Sequence, residues 1–222
     1  MTKPCYKYAV IATDIIILAM HQQVLSVLLI KMKKPPYQDC WAAPGGLARL
    51  DESVDDSALR NLEGTTGLNN IFLEQLYTFG RVDRDPSGRV VSVAYYALIP
   101  DSGISLKTTS NYAGIGWFDV QSMPKLAYDH KNMVDYAVKR LQAKLSYTNV
   151  VHNLLPKHFT LTELQTTYEV ILRTQFDKRN FRRKIKAADI VVKTDLMTRS
   201  RANRPAALYR FKNRTYQTVQ IL

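Results

Sequence analysis

GGLARLDESVDDSALRNLEGTTGL, running from Gly45 to Leu68, is the stretch that decides the fold. It closes a tight turn, Trp41-Ala42-Ala43-Pro44-Gly45-Gly46, whose glycines give the backbone freedom and room for close approach. A helix follows. Ser53 stands three residues before Asp56, which reads as an N-cap with acids at the positive end of the helix dipole. Val54, Ala58 and Leu62 recur every four residues and form the buried face. Gly64 and the β-branched pair Thr65-Thr66 are weak helix formers, so the helix is expected to fray early. Residues Asn61, Gly64 and Thr65 share one face and offer an amide, a hydrogen and a hydroxyl, none of them anionic. Glu52 and Glu63 remain, but Glu63 lies about 100° around the helix from position 64. A hard dication wants several carboxylate oxygens converging from one face, and one is a poor site.

Outward from this stretch, the flanking segments alternate strand and turn. Tyr8–Met20 and Val24–Lys33 are rich in Ile, Val and Leu around His21-Gln22-Gln23, which predicts a β-hairpin ended by Pro35 and Pro36. Downstream, Ile71–Gly80 and Val90–Ile99 read as strands joined by a polar loop over residues 81–89, and Ile115–Phe118 as another. From His130 to Leu145, Val134, Ala137, Val138, Leu141 and Leu145 follow helical spacing. Strands, helix, strands and helix make one α/β sandwich domain over residues 1–148, with Ser146–Lys157 expected as a linker to a second domain over 149–222.

The second domain opens on Thr160, three residues before Glu163, a capping box. Leu161, Leu164, Tyr168, Ile171 and Leu172 form the buried stripe of that helix. Asp177 caps the next helix, in which Phe181, Ile185 and Ala188 point one way while Arg179, Asn180, Arg182, Arg183 and Lys186 cover the rest. Ile190–Thr194 and Ala207–Lys212 read as two strands joined by a loop carrying Arg199, Arg201 and Arg204. Helix, turn, basic helix and two-stranded ribbon is a winged helix-turn-helix pattern.

Charge points the same way. The 222 residues carry a net charge of +12, yet residues 1–150 hold 16 Lys+Arg against 14 Asp+Glu, and residues 151–222 hold 15 against 5. A nearly neutral front and a strongly basic tail imply a polyanion partner for the tail. Arginine pairs with guanine through two hydrogen bonds and asparagine does so with adenine, so Arg179, Asn180, Arg182 and Arg183 are base-reading candidates. Lys184 and Lys186 suit phosphate, as do Thr160 and Thr162 at a helix N-terminus; Lys178 is a further DNA-binding candidate. Arg201 and Arg204 suit a minor groove. Double-stranded DNA is the expected partner, ahead of structured RNA.

Composition sets outer limits. Hydrophobic residues at 46% and charged residues at 23% describe a globular protein with ample core. Cys5 and Cys40 form neither a disulfide framework nor a metal site, which points to a reducing cytoplasm. Ile15–Ile30 is broken by His21, Gln22 and Gln23, so no membrane span is expected there.

The stretch from Gly45 to Leu68 resembles the Nudix box, the loop-helix signature of enzymes that split nucleoside diphosphates linked to another group. Gly46, Glu52, Arg60, Leu62, Gly67 and Leu68 match its pattern, whereas Asn61, Gly64 and Thr65 stand where it has glutamates. Both halves together resemble the Nudix-related transcriptional regulators of NAD metabolism. The segments that carry this are residues 41–46, 89–96, 126–130, 155–165, 177–184 and 204–211. The resemblance implies a homodimer that represses NAD biosynthesis or salvage genes from a palindromic operator. Its Nudix half would sense ADP-ribose or a related nucleotide. The missing glutamates imply no hydrolysis, hence no catalytic residue, no metal ligand and no cofactor. Asn203 departs from the glycine usual before Arg-Pro-Ala.

For the nucleotide, Gly45 and Gly46 can admit a phosphate to the backbone, and Arg49, Arg81 and Arg84 can neutralise a diphosphate. Arg60 is expected instead to hold the box helix through an ion pair, with Glu52 a helix-start acid. Trp41 and Tyr77 are stacking candidates, though packing is the commoner role of such aromatics. His130 is expected to be structural. A pyrophosphatase using Glu52, Glu63 and Asp55 or Asp56 is the alternative reading, and a regulator that keeps the Nudix half only for dimerisation is another.

Overall fold

The computed structural model describes residues 8–67, 71–100, 112–198, 205–219 and 221. Strand β1 (Val10–His21) is buried without alternation from Ala12 to Ala19. That pattern belongs to a strand covered on both faces. It neighbours β2 (Val24–Met32), whose Val27, Leu28 and Leu29 are fully buried. The connecting turn places Gln22 at φ 49° and Gln23 at φ 65°. Five further strands complete the sheet: β3 (Trp41–Ala42), β4 (Gly45–Leu47), β5 (Phe72–Phe79), β6 (Val90–Leu98) and β7 (Tyr112–Asp119). Their order is β3-β2-β1-β6-β5, with β4 paired to β1 and β7 to β2; β1 and β6 are parallel.

Between β4 and β5 lies α1 (Val54–Thr66), started by a Ser53–Asp56 capping box and stopped by Gly67 at φ 68°. The expected early fraying does not occur. The Thr65 and Thr66 hydroxyls each donate to the carbonyl one turn back, on Asn61 and Leu62, at 2.8 Å. Gly67 then closes the helix by donating to the Glu63 carbonyl at 2.7 Å.

The described residues fall into two compact units. The first holds 8–18, 26–67, 71–98 and 112–137; the second holds 19–25, 99–100, 138–198, 205–219 and 221. Helix α2 (His130–Tyr147) contributes to both.

In the second unit, α3 (Leu161–Leu172) and α4 (Lys178–Ala187) precede the ribbon β8 (Val191–Met197) and β9 (Ala207–Phe211). The core packs Tyr168 against Phe181 (ring centroids 5.5 Å) and Phe159 against Phe211 (4.9 Å). Leu172, expected in the stripe, is only half-buried, and Thr167 is buried instead. The expected linker is not one. Val150, Val151, Leu154 and Leu155 are buried around a 3-10 turn (Val150–Asn153), and Arg214 donates to the carbonyls of His152 and Leu155 at 2.8 and 2.9 Å. Among the described residues no helix is long and apolar enough to cross a membrane.

Candidate functional site

A cavity of about 790 Å³ opens in the first unit, within the size range of ligand sites. β1 supplies Ala12 and Asp14, the end of β2 and its loop supply Ile30, Met32, Lys33 and Lys34, and the tight turn supplies Ala42, Ala43, Gly45, Gly46 and Leu47. Arg84, Asp85, Val90, Tyr112, Tyr128 and His130 complete the wall.

A buried polar cluster forms part of this wall. Arg84, with 3% of its side chain exposed, donates to Asp129 at 2.8 Å and to Asp14 at 3.3 Å. The Ser92 hydroxyl donates to Asp14 at 2.6 Å. The Ala43 amide donates to His130 Nδ1 at 2.9 Å, which leaves Nε2 facing Asp14 Oδ1 at 3.6 Å. Burial pushes the Asp14 carboxyl up, but His130, Ser92 and Arg84 outweigh it and hold Asp14 below the ordinary range. Asp14 is the one acidic residue of β1, and a carboxylate in a buried strand is a readable signal of a polar task.

Gly45 is fixed by this packing. It pairs with Asp14 across β1 and β4, and a Cβ there would meet the Asp14 carboxylate and lie 2.6 Å from the Thr13 carbonyl. Gly45→Ala is expected to destabilise the chain by about 1–3 kcal/mol through overpacking. Gly46→Ala should cost less, since its nearest neighbour is the Asn61 side chain at 3.2 Å, which can yield. Thermal unfolding of both variants checks the order.

Beside the cavity, Arg60 clasps Glu52 through Nε at 2.8 Å and Nη2 at 2.5 Å, and the Arg49 amide donates to the same carboxylate at 2.8 Å. The Arg60 hydrogen bonds outweigh burial and, with the Arg49 amide, pull the Glu52 carboxyl from 4.5 to about 2. A depressed carboxyl stabilises the fold fully above its ordinary 4.5 and loses that contribution as pH falls toward about 2. An NMR titration should therefore place the Glu52 midpoint well below that of a free glutamate. A midpoint near 4.5 would mean that the clasp does not form in solution.

The same helix face does not fit a hard dication. Asn61 donates to the Thr13 hydroxyl at 3.0 Å and accepts from Arg60 at 3.1 Å, Thr65 is turned to the Asn61 carbonyl, and Gly64 has no side chain. Glu52 is the one carboxylate among these positions, and Arg60 already occupies it. Among the described residues no three His, Cys, Asp or Glu side chains gather as a cation site.

In the second unit α4 is a cationic helix. Six of its ten residues are Lys or Arg, while Phe181 and Ile185 seat its back in the core. Its front exposes Lys178, Arg179, Asn180, Arg183, Lys184 and Lys186. Asp177 starts it by accepting from the Asn180 amide at 2.8 Å, and Arg183 donates to the Asn180 side chain at 2.9 Å.

Residues 9–137 match the NUDIX domain family, and residues 151–211 match the NrtR DNA-binding winged helix domain family. An Acinetobacter baylyi protein called "ADPR responsive transcriptional repressor NtrR" is 35% identical over 218 residues, covering 96% of this chain and 86% of the relative. The chain belongs to the NrtR family. Its fold is accordingly an α/β Nudix fold followed by a winged helix domain. It superposes on Shewanella oneidensis NrtR complexed with a 27mer DNA at a TM-score of 0.80 and 34% identity, covering 91% of this chain and 93% of that one. The NUDIX domain of the same Shewanella protein complexed with ADP ribose gives 0.55 and 31%, covering 63% and 94%.

Within this NrtR-family chain the expected site residues separate. Gly45 and Gly46 line the cavity, but Arg49 and Arg81 do not; Arg81 is exposed and paired with Asp83 at 2.8 Å. Arg84 lines it, yet as a buried cation committed to two carboxylates, which corrects the expectation of a charge available to a diphosphate. Trp41 packs edge-on against Phe118, and Tyr77 stacks on Tyr136 outside the cavity wall. The Arg60–Glu52 pair is formed as expected. Lys33, Lys34, Asp14, Tyr112 and Tyr128 were missed, because only the fold brings these segments together.

On the DNA-reading side, α4 presents Lys178, Arg179, Asn180, Arg183 and Lys186 together. Arg182 is half-buried, with a buried Nε that has no hydrogen-bond partner among the described residues. Thr160 is corrected. Its hydroxyl accepts from the Glu163 amide at 3.1 Å, and its own amide donates to the Glu163 carboxylate at 2.6 Å, so an anion already sits there. Thr162 is exposed on the first turn of α3. Arg201, Arg204 and Asn203 lie outside the described residues.

Proposed function

We propose that this chain is an ADP-ribose-responsive transcriptional repressor whose Nudix domain, residues 1–148, gates DNA binding by its winged helix domain, residues 149–222. The observation that carries the reading is the coexistence, in one NrtR-family chain, of a ligand-sized cavity beside the Nudix box and a cationic helix on an apolar seat. The protein works in the cytoplasm as a homodimer on a palindromic operator controlling NAD biosynthesis or salvage genes. ADP-ribose binds more tightly to a geometry in which the recognition helices no longer match the half-sites, and so shifts the population away from DNA. Helix α2 supports such coupling: it begins at His130, on the cavity wall, and ends within the second unit.

The nucleotide is bound without being cleaved, because Glu52 is clasped by Arg60 and no second carboxylate joins it on the box helix face. Two assays test this. A mobility-shift titration on promoter DNA of NAD-salvage genes should show binding that ADP-ribose weakens. Incubation of ADP-ribose with the chain and Mg²⁺ should release no AMP; metal-dependent release would assign a pyrophosphatase instead.

A further inference from the structure

The cation that meets the ligand's diphosphate is not one of the arginines that the box and its neighbouring loop suggest. Arg84 is buried between two carboxylates, and neither Arg49 nor Arg81 lines the cavity wall. Among the described residues, the other lysine or arginine side chains on that wall belong to Lys33 and Lys34. We propose that Lys33 and Lys34 form the anion clamp of the sensor, holding the diphosphate of a nucleoside-diphosphate ligand at the cavity lip. The inference rests on the sensor reading above.

Two observations beyond their position support this role. The first is that the loop bearing them is tied down at its base. The Met32 amide donates to the Cys40 carbonyl and the Asp39 amide to the Met32 carbonyl, both at 2.9 Å. Tyr37, further along the loop, packs on Tyr128 with ring centroids 4.4 Å apart. Pro35 and Pro36 follow the lysines directly and restrict the backbone between these anchors. The lysines therefore leave a base whose backbone is already fixed.

The second is the polarity of the cavity. The Asp14, Asp129 and Arg84 cluster brings two carboxylates to one guanidinium, so that part of the wall repels an added anion. Apolar Ile30 and aromatic Tyr112 suit a base or a sugar face. A phosphate group is best placed where Lys33 and Lys34 stand. Both are exposed, so each phosphate contact is partly screened and the pair together is worth about tenfold in affinity rather than thousands.

Calorimetric titration of the full chain with ADP-ribose at low and high salt tests the clamp. The K33A/K34A variant should bind about tenfold more weakly and lose much of the salt dependence, and K33R/K34R should recover both. The R49A/R81A variant should bind like the unsubstituted chain. Undiminished affinity and salt dependence in K33A/K34A would overturn the clamp, as would an equal loss in R49A/R81A. Failure of the unsubstituted chain to bind ADP-ribose at all would instead sink the sensor reading, and the clamp with it.

Discussion

Arg84→Met is expected to lower stability by about 3–5 kcal/mol, the cost of leaving buried charge without its partner. Arg84 answers both Asp129 at 2.8 Å and Asp14 at 3.3 Å, and its side chain is 3% exposed. Removing it strands Asp129 and leaves Asp14 to Ser92 and His130, whereas Asp129→Asn still leaves Arg84 with Asp14 and should cost less. Chemical denaturation of both variants reads the difference directly in the midpoint. An Arg84→Met chain as stable as the unsubstituted one would show that the cluster admits water and is not a sealed part of the cavity wall.

The second large effect falls on DNA. Substituting Arg179 and Arg183 together by alanine should weaken specific binding by about 100-fold or more, since each base-reading contact contributes about 1–3 kcal/mol. Both side chains are exposed, and the helix is seated by Phe181 and Ile185, so the fold should survive. Lys178→Ala and Lys186→Ala should act differently, weakening binding to all sequences alike and flattening its salt dependence by about one charge each. Anisotropy titrations on specific and scrambled duplexes separate the two classes. Equal losses on both duplexes for the arginine pair would make it a phosphate contact rather than a reader of bases.

Much of this architecture is legible in the chain, because its signals are local. Ser53 with Asp56 and Thr160 with Glu163 start their helices as the capping pattern requires, and Phe181 and Ile185 mark the buried back of α4. Misreadings arose where a specific contact, within the helix or across the fold, overrode a bare propensity. Thr65 and Thr66 are weak helix formers, yet their hydroxyls bond back one turn and the glycine cap holds the end. Ser146–Lys157 reads as a linker between domains, while Val150, Val151, Leu154 and Leu155 in that segment are core. Arg84 reads as a charge for the diphosphate because its partners, Asp14 and Asp129, lie 70 and 45 residues away in the chain. For the same reason Lys33 and Lys34 gave no sign that β2 ends at the cavity.

Ligand gating of DNA binding is the central claim, and reciprocity gives its most direct test. If ADP-ribose weakens operator binding, saturating operator must weaken ADP-ribose binding by the same factor. Titrating ADP-ribose into the free chain and into its complex with promoter DNA measures that factor from both sides. A lower ADP-ribose affinity in the complex, matching the loss of DNA affinity in nucleotide, is the expected result. Equal ADP-ribose affinities with and without DNA would contradict the gating and leave the Nudix domain as a platform alone.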